Sequence, residues 1–138
     1  MGRILAIDYG RKRVGIAVTD TLQLIANGLT TVSSEQILSF LETYIQKEQV
    51  DEIIVGLAKQ MNNELSESMQ YITPFVKGLQ NKFPTVPVTM VDERFTSKMA
   101  QQTMIESGIS KKSRQNKALV DQISATILLQ SYLESKMI

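Results

Sequence analysis

The chain contains no cysteine and no histidine. Without cysteine there are no disulfides, thiolate metal sites or cysteine nucleophiles. Without histidine the commonest general base and the commonest zinc ligand are both gone. Any catalysis must therefore run on carboxylates, hydroxyls, lysine, arginine and hard metal ions. No apolar run approaches the roughly 20 residues a membrane span needs. Met1-Gly2-Arg3 leads straight into a strand, without the charged leader, apolar core and cleavage site of a secretion signal. A cytoplasmic protein free of the membrane is expected.

With 138 residues, 43% hydrophobic and 21% charged, the chain is expected to form one domain, 1–138, with a real core. The net charge of +1 argues against bulk attraction to nucleic acid, but its distribution is uneven. Residues 34–67 carry an excess of five negative charges, and residues 94–117 an excess of five positive ones. A polyanion can thus be met locally by a nearly neutral molecule.

Apolar periodicity predicts the element order β-β-β-α-β-α-β-α-α. Ile4 to Ile7 read as a buried strand that delivers Asp8, and Val14 to Val18 as its hairpin partner across a turn bearing Arg11, Lys12 and Arg13. Ala26 to Val32 form a third strand. Ser33 and Gln36 match a capping box for a helix over 34–49. Glu52 to Leu57 read as a short strand covered on both faces, followed by a polar loop from Ala58 to Asn63. Leu65, Met69, Ile72, Val76 and Leu79 predict a helix that Pro74 should kink or split. A strand over 86–91 ends in Asp92-Glu93-Arg94, and a helix capped at Thr96 or Ser97 runs to Gly108. A basic loop, 109–115, leads to a last helix over 116–135, with Leu119, Val120, Ile123, Ile127 and Leu128 as its core face. The fold expected is α/β, a mixed five-stranded sheet with its first three strands antiparallel and helices on its faces.

Acidic residues stand at three element ends: Asp8, the pair Asp92-Glu93, and Asp121 among apolar neighbours on the last helix. If the first and last strands approach each other and the final helix packs across them, these carboxylates converge. Oxygen ligands without cysteine or histidine suit Mg²⁺ or Mn²⁺. Two such ions can activate water and stabilise the leaving oxygen of a phosphodiester without a protein general base. Each residue also has a plainer reading. Asp8 can cap its own turn. Asp121 can pair with Lys117, one turn back, for about 0.2–0.5 kcal/mol. Glu93 beside Arg94 can be a solvated strand end, and Tyr9 and Phe95 can be core aromatics instead of base-stacking platforms. Arg11 to Arg13 and Lys111 to Arg114 flank the acidic positions, which favours phosphate contacts over ordinary solvated loops.

Four ordered blocks resemble the YqgF, or RuvX, family: Asp8 to Asp20, Ile54 to Leu57 with Met61, Asp92 to Ser97, and KALVDQISATILLQSYL over 117–133. The resemblance implies an RNase H-like fold related to the RuvC junction resolvases. It also implies a metal-dependent endonuclease that matures the small-subunit ribosomal RNA precursor. By the same resemblance the catalytic, metal-binding carboxylates are Asp8, Glu93 and Asp121, holding Mg²⁺ or Mn²⁺ in a two-metal site. Arg13, Arg94 and Lys117 would steer phosphate, Arg11 and Lys12 would border its path, and Lys111, Lys112 and Arg114 would grip substrate. Structured RNA is the favoured partner for a monomer or homodimer, with the precursor of the ribosomal small subunit as a further expected partner. Branched DNA, which would call for a dimer, and a weakly active RNA-binding assembly factor are the alternatives. The chain departs from the family pattern at Ala58, where proline is usual, and at Asn62-Asn63, where the turn carries glycine.

Overall fold

The computed structural model describes residues 2–9, 12–57, 69–92 and 117–136. In chain order these form β1 (Arg3–Tyr9), β2 (Arg13–Thr19), β3 (Ala26–Ser33), α1 (Ile37–Lys47), β4 (Val50–Leu57), α2 (Met69–Lys82), β5 (Val88–Asp92) and α3 (Lys117–Lys136). The five strands make one sheet in the order β3-β2-β1-β4-β5. Short links leave β1, β2 and β3 antiparallel. Longer helical crossovers add β4 and β5 parallel to β1. The mixed sheet expected from the sequence is the one observed.

Successive residues of β1 feed opposite faces. Leu5 and Ile7, with Val14, Ile16, Ile53 and Val55, pack under Ile37 and Leu41 of α1 and Ile72, Phe75, Val76 and Leu79 of α2. Ile4 and Ala6, with Ala17 and Ile54, pack against Ala125, Leu128, Leu129 and Leu133 of α3. Each fully buried leucine or isoleucine contributes about 1.5–3 kcal/mol. Ile4, Leu5, Ala6 and Ile7 are all at most 1% exposed, so a one-residue slip of β1 would exchange two complete cores.

Several expectations are corrected. The Ser33–Gln36 capping box does not form: Ser33 stays in the β3 ladder opposite Arg13, and Gln36 caps α1 without a side-chain bond. Backbone bonds close this entry instead, with the Ser34 N–H donating to the Lys12 carbonyl at 3.1 Å and Gln36 N–H to that of Ser33 at 3.0 Å. Pro74 does not split α2, because buried Ile72 before it and buried Phe75 after it fasten both sides to the sheet. The core face of α3 is rotated from the one expected. Ala125, Leu128, Leu129 and Leu133 are buried, while Ile123 and Ile127 are half-buried, since small Ser124 and Ala125 let the helix approach closely. The side chains of Leu119 and Val120, the helix expected over 96–108 and the loop over 58–63 lie outside the described residues.

At the rim where β1 begins, polar bonds replace apolar packing. Asp51 accepts from the Gly2 N–H at 2.8 Å and from Gln23 Nε2 at 3.1 Å. Arg3 Nη1 donates to the Thr19 carbonyl at 2.9 Å. Asp20 closes the β2–β3 turn by accepting from the N–H groups of Leu24 and Ile25, both at 2.9 Å, and of Leu22 at 3.2 Å. These donors, led by Ile25, hold the Asp20 carboxyl below the ordinary carboxylate range. A lowered folded-state value means its stabilisation is present above the unfolded value and is lost as pH falls through the folded one. Asp20→Asn is therefore expected to lower Tm near neutral pH, and the gap to wild type should close on acidification through the carboxylate range. Thermal melts across that range check it.

The other end of α3 is tied to the sheet by a carboxylate. Glu52 Oε2 accepts from the Tyr132 hydroxyl at 2.6 Å and from Thr89 Oγ1 at 2.8 Å. Tyr132→Phe removes a hydrogen bond to a charged group and is expected to cost about 1–2 kcal/mol. Urea denaturation should show a lower midpoint at unchanged slope.

Candidate active site

Asp8 is the point in β1 where the α3-side row stops being apolar. Ile4 and Ala6 precede it on that face, whereas Ile7 and Tyr9 belong to the α1/α2 side. The Asp8 side chain is half-buried. Its β2 partner is Gly15, which in turn pairs with Thr31. On the other side Ile7 pairs with Val55, so Gly56 is level with Asp8 one step further on, and Gly56 pairs with Val91. The carboxylate thus projects from the centre of the sheet between two positions that carry no side chain.

β1 and β5 are not neighbours, contrary to the simplest form of the expected convergence; β4 separates them. Two inter-strand steps are about 9.6 Å, within reach of two carboxylates that share a bound ion. Because β1, β4 and β5 are parallel, their C-terminal ends lie at one rim, and Asp92, paired with Leu57, is the last described residue of β5. α3 brings its first turn to the same rim. A Cβ on Gly28 would come within 2.7 Å of Gln122 Nε2, while Gln130, Leu133 and Glu134 line a shallow cavity of about 270 Å³ with Leu24, Ile25 and Ala26. α3 therefore runs against β3. Its residues Lys117 to Asp121 stand at the end where β1 finishes, and Asp121 is one turn before buried Ala125.

Basic residues border this rim. Arg13, exposed, opens β2 opposite Ser33 and has the strand parity of Gly15, the partner of Asp8. Lys12, also exposed, precedes it in the connection. Arg11, Glu93, Arg94, Lys111, Lys112 and Arg114 lie outside the described residues, as do the side chains of Asp92, Lys117 and Asp121. The chain positions that are described bring Asp8, Arg13, the end of β5 and the start of α3 to one place.

Tyr9 is partly buried and packs against the α1/α2 core. Its ring stacks on Phe75 of α2 with centroids 4.3 Å apart and planes at 19°, and burial raises its hydroxyl pKa. Sequence reasoning did not single out Phe75, nor the roles of Gly15 and Gly56 as neighbours of Asp8. The glycines left a trace, since each interrupts an apolar strand run where a side chain would otherwise pack.

Chemically, the expected donors Asp8, Glu93 and Asp121 would suit a hard divalent cation. The set is all oxygen, and the one expected ligand whose side chain is described, Asp8, stands between bare positions on a rigid strand. Among the described residues no three acidic side chains gather into a ligand set.

A family model described as "RuvX: Holliday junction resolvase" matches residues 2–135. A Bacteroides thetaiotaomicron protein named "Putative pre-16S rRNA nuclease" is 66% identical over 136 residues, covering 99% of each chain. A Flavobacterium psychrophilum protein of the same name is 60% identical over 136 residues, again with 99% of each covered. Among solved structures, Thermus thermophilus RuvC in complex with a Holliday junction substrate superposes with a TM-score of 0.62 at 16% identity, covering 99% of this chain and 96% of the other. That likeness shows the RuvC-like, RNase H-like fold. The full-length family match and the close relatives settle the kinship: the chain belongs to the RuvX family.

Proposed function

We propose that the chain is a divalent-cation-dependent endonuclease that hydrolyses phosphodiester bonds of structured RNA, with the small-subunit ribosomal RNA precursor as substrate. The observation that carries this reading is the placement of Asp8, half-buried at the sheet centre beside Gly15, at the rim where β5 ends and α3 begins. The substrate comes from the names of relatives that match over the full length.

In this reading Asp8, Glu93 and Asp121 hold Mg²⁺ or Mn²⁺. Bound there, the cation supplies an activated water and offsets charge on the leaving oxygen. That chemistry suits a chain with no histidine to act as base. Glu93 is taken over Asp92 as the second carboxylate because the likeness of the block Asp92 to Ser97 to the family pattern places it there. Arg13, exposed beside the Asp8 row, orients the phosphate backbone, with Arg11 and Lys12 along the same path. Arg94 and Lys117 complete the clamp, and Lys111, Lys112 and Arg114 hold the flanking RNA. No described helix is long and apolar enough to cross a membrane. The protein works in the cytoplasm, where ribosome precursors are processed.

Purified protein with Mn²⁺ is expected to cleave precursor RNA, and Asp8→Asn to lose at least about a hundredfold, the scale of removing one electrostatic anchor of a transition state. An Asp8→Asn form as active as wild type would overturn the reading. The RuvC likeness and the family description favour branched DNA as the second reading. Faster cleavage of a four-way junction than of RNA, by a dimer in solution, would establish that reading instead. Glu93→Gln is expected to match the loss in Asp8→Asn, whereas Asp92→Asn should stay near wild type; equal losses at 92 and 93 would overturn the choice of Glu93.

A further inference from the structure

We propose that Tyr9 and Phe75 are a positioning pair for Asp8, an inference that rests on the nuclease reading above. Two ladders hold β1 unequally at its end. The described pairing with β4 closes at Ile7–Val55, while that with β2 runs on to Tyr9–Val14. Asp8 and Tyr9 therefore have strand pairing to β2 on one flank and the aromatic stack beneath. Neighbouring residues of a strand point to opposite faces, so a roll of the strand that moves the Tyr9 ring swings Asp8 the other way. The stack resists this roll, with centroids 4.3 Å apart and planes 19° from parallel.

Phe75 is well placed to anchor the stack. It is 7% exposed, and Ile72, Val76 and Leu79 on the same helix are buried in the same cluster. α2 is thereby coupled through one ring contact to the residue next to the proposed metal ligand. A second aromatic pair in this cluster supplies a control: Phe40 and Tyr44 of α1 lie 6.1 Å apart at 15°, and neither adjoins Asp8 in the chain. Packing alone would make the two pairs equivalent in effect. Positioning makes only the first matter to Asp8, and a displacement of about 1 Å at a reacting group costs on the order of a hundredfold in rate.

The full chain is to be compared with Tyr9→Leu, Phe75→Leu, Tyr9→Phe and Phe40→Leu. Tm, Mn²⁺-dependent RNA cleavage and Mn²⁺ uptake by electron paramagnetic resonance would be measured for each. Tyr9→Leu and Phe75→Leu should lower kcat by about tenfold to a hundredfold with KM within about twofold, and should take up Mn²⁺ more weakly. Tyr9→Phe, which keeps the ring, should restore both. Phe40→Leu should lower Tm while leaving kcat and Mn²⁺ uptake intact. Leucine variants at 9 and 75 that lose Tm but keep wild-type kcat and Mn²⁺ uptake would overturn the inference and leave the nuclease reading standing. The fall of that reading would show separately, as wild-type activity in Asp8→Asn. Mg²⁺ titration of the unmodified protein gives a variant-free arm. Ring signals of Tyr9 and Phe75 should shift ahead of those of Phe40, and equal or absent shifts would overturn the pairing.

Discussion

The period-two alternation of β1 between two dry faces is the constraint on which the rest depends. Leu5 and Ile7 close one core and Ile4 and Ala6 the other, each side sealed by helices. Because both faces are buried, the strand has no alternative register in which apolar residues stay out of water. Asp8 inherits that fixity. It occupies the next α3-side position, where continued burial of an isolated carboxylate would cost several kcal/mol unless a partner met it. The strand thus drives a charged group to a set height in the sheet, and ladder pairing to Gly15 sets its lateral place.

Chemistry follows from what surrounds that position. A carboxylate flanked across the sheet by Gly15 and Gly56 has a bare backbone position beside it in each neighbouring strand. Exposed Arg13 lies on the same face parity, so an acidic and a basic side chain share one side of the sheet at one rim. A phosphodiester with its counterions matches such an arrangement better than an uncharged ligand does. Toward the far rim the protein meets the carboxylate of Glu52 directly with hydroxyl donors from Tyr132 and Thr89.

Much of this was legible in the residues. Strand runs such as Ile4 to Ile7 and Ile53 to Val55 are continuous and apolar because both their faces are covered, and such runs announce themselves. The place of Asp8 near the end of β1 was legible as well, since the apolar run stops there. Local signals fared worse where tertiary contacts compete with them. Ser33 reads as a helix cap, but ladder pairing to Arg13 claims it for β3. Pro74 reads as a break, but buried residues on either side carry α2 through. The face of α3 was misjudged because size decides it: Ser124 and Ala125 add little to a hydrophobic pattern, yet their smallness lets the helix settle onto Ala17 and Ile54. Strand order was beyond periodicity altogether, so β4 between β1 and β5 could not be read in advance.

The polar rim around Gly2, Gln23 and Asp51 has a wider consequence. Asp51 gathers donors from Gly2 and Gln23, Gln23 Nε2 also reaches the Gly2 carbonyl at 2.7 Å, and Arg3 reaches Thr19, all where β1 begins. Asp8 lies at the opposite rim. The polar bonds that fasten these strands are thus gathered at the end of β1 away from Asp8. A substitution confined to the rim that holds Asp8 would therefore leave these bonds, and the start of β1, in place.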